Sequence, residues 1–69
     1  MKSVKIRSKK YGTISEVKYY DSKIKMFYCY IPHLDMNLHI HPSAFLLDIG
    51  EKELDNLKME MTLNEQENN

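Results

Sequence analysis

The chain has 69 residues, 42% hydrophobic and 29% charged, with two Gly, two Pro and one Cys. That composition admits one small hydrophobic core and excludes a second domain, a fibrous or disordered polymer and an internal disulfide framework. Formal net charge is zero, but residues 1–25 carry eight Lys or Arg against Glu16 and Asp21, a surplus of +6, and residues 26–69 carry two Lys against eight acids, a balance of −6.

Residues 3–7 alternate, with Val4 and Ile6 on one face and Lys5 and Arg7 on the other, which predicts a half-buried strand. Tyr11 and Gly12 interrupt the pattern, and residues 13–20 resume it with β-branched and aromatic side chains. Ile14 and Val17 are three apart and cannot share a pleated face, so this second strand is expected to be bulged or strongly twisted. Asp21, Ser22 and Lys23 supply turn chemistry, because Asp and Ser side chains bond nearby backbone groups. The next run, residues 24–31, completes a hairpin. It sets Ile24, Met26, Tyr28 and Tyr30 on one face and Phe27, Cys29 and Ile31 on the other, the pattern of a central strand covered on both sides.

Pro32 ends that run, and Met36, Leu38 and Ile40 then alternate with Asn37, His39 and His41 until Pro42, a fourth and shorter strand. Residues 43–49 are too continuously apolar to show a period and are assigned only as buried. Asp48 and Glu51 have the acceptor-then-acid spacing of a helix start, and Leu54, Leu57 and Met61 follow at helical spacing. Leu57, Met59, Met61 and Leu63 also alternate as a closing strand would. Propensity decides for the helix, since Glu, Lys, Leu and Met are strong helix formers and β-branched residues are scarce there. Residues 1–63 therefore form one small β-rich domain, and residues 64–69 form a disordered acidic tail. The expected class is α+β, a small antiparallel sheet of three to five strands with one C-terminal helix; a small SH3-like barrel is the alternative if residues 43–49 are a strand.

Three surfaces compete for a role. The acidic stretch, with Asp48, Glu51, Glu53 and Asp55, suits docking on a protein partner, as a small accessory or inhibitor protein would. The basic and aromatic residues Lys5, Arg7, Lys18, Tyr19, Tyr20 and Lys25 suit nucleic acid or a nucleotide, through phosphate attraction and base stacking. Tyr28 and Tyr30 are read as core or interface residues. His39 and His41, two apart on one strand, have a spacing that permits zinc and would give a zinc-stabilised fold.

No Gly-rich phosphate loop, metalloprotease His pair or nucleophile motif is present, and Cys29 lies in an apolar strand where a thiol is inert. The leading expectation is accordingly a non-enzymatic binding module that docks on a protein, with nucleic acid or nucleotide binding second, a zinc-stabilised fold third, and no cofactor. A core of this size contributes only about 3 to 5 kcal/mol without a disulfide or metal, so a homodimer is expected. A single cysteine fits a reducing compartment, no stretch approaches the roughly 18 apolar residues of a membrane span, and residues 1–10 lack the apolar segment of a secretory leader. A cytoplasmic location follows as an expectation.

Overall fold

The computed structural model describes residues 3–62. Four strands, β1 (Val4–Arg7), β2 (Ile14–Asp21), β3 (Met26–Ile31) and β4 (Met36–Ile40), form an open antiparallel sheet in the order β1-β2-β3-β4. A 3₁₀ turn (Pro42–Phe45) leads into a short helix α1 (Leu46–Ile49), and the longer helix α2 (Glu51–Met61) follows. This is a small α+β fold with the helices on one face of a meander; the sheet stays open and does not close into a barrel.

The core lies between the two layers. Ile6, Val17, Tyr20, Phe27, Cys29 and Ile31 point from the sheet towards Phe45, Leu54, Leu57 and Met61, and Val17, Phe27 and Cys29 have no exposed surface. Phe27 sits at the centre, with the Tyr20 ring 5.0 Å away and the Phe45 ring 5.7 Å away in an edge-to-face arrangement.

The bulge in β2 is present, but it follows Val17 instead of separating Ile14 from Val17. Val17 pairs with Cys29 and Tyr19 with Tyr28, so Lys18 is the extra residue. The insertion lets Val17 and Tyr20, three apart, both face the core, while Ile14, opposite Arg7, points to the other face. The β2 to β3 turn forms as its chemistry requires, with the Lys23 N–H donating to Asp21 Oδ1 at 3.0 Å.

Some sequence expectations need correction. Strand β3 is internal to the sheet but is covered on one side only: Met26, Tyr28 and Tyr30 are half-buried by their neighbours, with no layer above them. The helix start read at Asp48 falls at Glu51 instead. Gly50 precedes it at φ 80° and ψ 165° without a side-chain cap, and Asp48 lies inside α1. Its carboxylate accepts the Lys9 N–H at 2.8 Å, tying the helical layer to the β1 to β2 loop 39 residues earlier in the chain.

Residues 43–49 are helical turns and not a strand, and they are not buried as a run: Phe45 alone among them is buried, while Leu47 is 81% exposed because only one face of these turns meets the sheet. The helix reading of residues 57–61 holds, because Leu54, Leu57 and Met61 are buried while Met59 is 79% exposed. Thr62 forms an isolated parallel bridge to Tyr20. Leu63 and the tail at 64–69 lie outside the described residues. No helix among the described residues is long and apolar enough to cross a membrane.

Candidate binding face of the sheet

With the helices on one side, the opposite face of the sheet is left to solvent, and strand register determines what it carries. One cross-strand row runs Lys5, Glu16, Tyr30, Asn37. The adjacent row runs Tyr19, Tyr28, His39, with the bulged Lys18 beside Tyr19.

The second row is an aromatic strip. The Tyr19 and Tyr28 rings stack with centroids 5.1 Å apart and planes 23° from parallel, and the His39 ring lies 5.0 Å from Tyr28 at a 55° tilt. Direct cross-strand neighbours on a twisted sheet stand at this spacing, which suits ring-to-ring contact. At one side of the strip, Lys18 Nζ lies 3.4 Å from Glu16 Oε1. Arg7, on the same face of β1, donates through Nη1 to the Gly12 carbonyl at 3.1 Å and keeps most of its guanidinium fork available. Tyr30 donates its hydroxyl to Asp35 Oδ1 at 2.5 Å. That hydrogen bond, then burial and the negative charges of Asp35 and Glu16, raise the Tyr30 phenol above its ordinary range and keep it protonated.

The residues singled out by sequence separate under this geometry. Arg7, Lys18 and Tyr19 share the open face with Lys5, which stands on the edge strand and also borders the groove lined by Glu53 and Glu60. Tyr20 does not join them: it is 9% exposed and belongs to the core, because the bulge at Lys18 returns it to the Val17 side. Lys25 sits in the β2 to β3 turn at φ 58° and borders a groove on the helix side with Tyr20, His41 and Lys58.

The acidic residues are distributed around the helices. Glu51 and Asp55 border the same groove as Lys25 and Lys58, with Lys58 Nζ 3.7 Å from Asp55 Oδ1, whereas Glu53 lies on the other flank of α2 beside Lys5 and Glu60. Asp48 is occupied by the Lys9 N–H. His39 stacks on Tyr28, while His41 leaves the strand and caps the 3₁₀ turn, its Nδ1 accepting the Ser43 N–H at 3.1 Å. Among the described residues, no group of three His, Cys, Asp or Glu side chains is placed to hold a metal ion. Cys29 is fully buried, and desolvation pushes its thiol up to about 11.

Sequence reading missed Tyr28 as a surface residue. Its signal was the cross-strand partner: Tyr28 stands opposite Tyr19 and His39 only once the bulge fixes the register.

The layers also separate charge. Residues 3–41 carry seven Lys or Arg against Glu16, Asp21 and Asp35, and residues 42–62 carry Lys52 and Lys58 against five acids. The sheet layer is thus +4 and the helical layer −3, and the ion pairs Lys18–Glu16 and Lys58–Asp55 each stay within one layer. No protein-family model, curated protein or solved structure matches the chain.

Proposed function

We propose that the chain is a non-enzymatic binding module, working as a homodimer, that takes single-stranded nucleic acid on the open face of its sheet. The row Tyr19, Tyr28 and His39 is the observation that carries this reading. It offers π-faces for bases on a surface no layer covers, with Lys18 beside Tyr19 and, further along the same face, Lys5 in the adjacent row and Arg7 one row beyond it for phosphates. The charge separation supports the same choice, because a polyanion is drawn to the sheet layer and repelled by the helical one. Docking on a protein through Asp48, Glu51, Glu53 and Asp55 has weaker support, since α2 divides these residues between two flanks and Asp48 is engaged by Lys9.

The test is fluorescence anisotropy of a labelled ten-nucleotide oligothymidylate titrated with the full chain at two salt concentrations. Three phosphate contacts on a single strand give a logarithmic salt slope of about −2, so affinity should fall roughly twentyfold between 50 and 200 mM salt. Tyr28→Ala should weaken binding at both. The combined variant Glu51→Lys, Glu53→Lys and Asp55→Lys should bind the oligonucleotide at least as well as the parent. Absence of binding, or binding insensitive to salt and to Tyr28→Ala, would refute the reading; loss of a captured protein partner in the Lys variant would favour docking through the acidic residues.

A further inference from the structure

The two edges of the sheet are built differently. At one edge β1 carries Lys5 and Arg7, and where β2 extends past β1 it is bulged at Lys18 and bridged at Tyr20 by Thr62. Charges, bulges and covering segments are the devices that keep an edge from pairing with another strand. The other edge has none of them. Strand β4, with the sequence Met36-Asn37-Leu38-His39-Ile40, contains no Lys, Arg, Asp, Glu or Pro, and its register with β3 runs unbroken from Met36 opposite Ile31 to Ile40 opposite Phe27.

The core-side residues of β4 are also incompletely covered. Helices α1 and α2 pack over β1 and β2. Met36 is left 50% exposed and Leu34, in the preceding turn, 52% exposed, while Leu38 and Ile40 are only partly buried. An edge strand with free backbone groups above an unfinished apolar strip calls for another strand bearing a matching strip.

We propose that β4 is a homodimerisation edge, with two copies pairing antiparallel about a twofold axis through Leu38. This specifies the surface for the homodimer proposed above and is independent of the ligand. In that register Leu38 meets Leu38, Met36 meets Ile40 and Asn37 meets His39, so apolar residues oppose apolar ones on the core side and polar residues oppose each other on the open side. A one-residue slip would put apolar side chains on the wrong face. Centring on Ile40 would oppose Leu38 to Pro42, which has no N–H to donate, and centring on Met36 would oppose Asn37 to Asp35, held in the turn at φ 51°. With no Lys, Arg, Asp or Glu on β4, no permanently charged side chains face each other at the axis. The product is one eight-stranded sheet in which two aromatic rows flank the axis on a continuous open face.

The proposal is tested by size-exclusion chromatography with light scattering on the full chain over a hundredfold range of concentration. The mass should rise towards twice the 8.2 kDa of one chain, with the concentration dependence of a small interface. Met36→Lys, at a half-exposed site, should stay monomeric while keeping the parent circular dichroism. As a test of register, the single-site variants Asn37→Cys and His39→Cys should form a disulfide when mixed and oxidised, and far less when oxidised separately; directly paired Cα atoms lie about 5.5 Å apart, within disulfide reach. Cys29, fully buried, does not compete. A monomer at every concentration overturns both the dimer and this edge. A dimer that survives Met36→Lys and gives no mixed disulfide overturns the edge alone.

Discussion

Tyr19 and Tyr20 are adjacent in sequence, yet the bulge at Lys18 directs one to the open face and the other to the core, and substituting each by Ala separates the two roles. Tyr20 is 9% exposed, with its ring 5.0 Å from Phe27. Removing a buried aromatic ring costs about 3 to 5 kcal/mol, as much as a domain of this size has in total. Tyr20→Ala should therefore be largely unfolded in buffer, without a cooperative urea transition by circular dichroism. Tyr19→Ala loses the stack on Tyr28 at 5.1 Å, a pair worth about 0.5 to 1.5 kcal/mol, and should keep a cooperative transition at lower urea. The same variant removes a base platform worth about 1 to 3 kcal/mol, which corresponds to roughly five- to 150-fold weaker oligonucleotide binding. Equal destabilisation by the two substitutions would refute the assignment of faces. A folded Tyr19→Ala chain with unchanged affinity would refute the binding role.

Four further outcomes follow from the same geometry. Deleting Lys18 restores plain alternation with Val17 opposite Cys29 and Tyr19 opposite Tyr28, so urea unfolding should show a loss no larger than about 1 kcal/mol, whereas deleting Tyr28 from the unbulged strand β3 should abolish folding. Gly50 lies at φ 80° and ψ 165°, open only to Gly, and an added Cβ meets nothing within 4 Å, so Gly50→Ala should cost about 1 to 3 kcal/mol of purely backbone origin. Asp48→Ala removes the acceptor for the Lys9 N–H and should cost about 1 kcal/mol in the same assay. The Cys29 thiol is raised from 9.0 to about 11 by burial, so the unfolded chain ionises first. The thiol's contribution is fully present below pH 9 and is lost as pH rises towards 11, amounting to roughly 2 to 3 kcal/mol; Cys29→Ala should remove that part of the alkaline fall in stability.

Much of the sheet was legible because period-two alternation reports which residues a pleat puts together. Val4 with Ile6, Phe27 with Cys29 and Ile31, and Met36 with Leu38 and Ile40 all follow it. The need for a bulge in β2 was also visible, but its place was not, because Lys18 becomes the extra residue only through the pairing of β2 with β3. Asp48 was misread as a cap because its carboxylate is claimed by a backbone N–H 39 residues away, which local spacing cannot reveal.

The candidate site was half legible. Lys5, Arg7, Lys18 and Tyr19 carried a local signal of charge and aromaticity. Tyr28 and His39 join them only through cross-strand register, and Tyr20 was separated from them by the bulge. The helical reading of residues 57–61 rested on propensity and is explained by Met59, which a strand would have grouped with Leu57 and Met61 but which the helix turns to solvent.

In the proposed function the open face of the sheet, and not the helical layer, receives the ligand. Amide chemical-shift mapping of the isotope-labelled chain during titration with oligothymidylate tests it most directly. The largest changes are expected at Lys5, Lys18, Tyr19, Tyr28 and His39, with Glu51, Glu53 and Asp55 on α2 unmoved; changes concentrated on α2, or none at saturating oligonucleotide, would contradict the proposal.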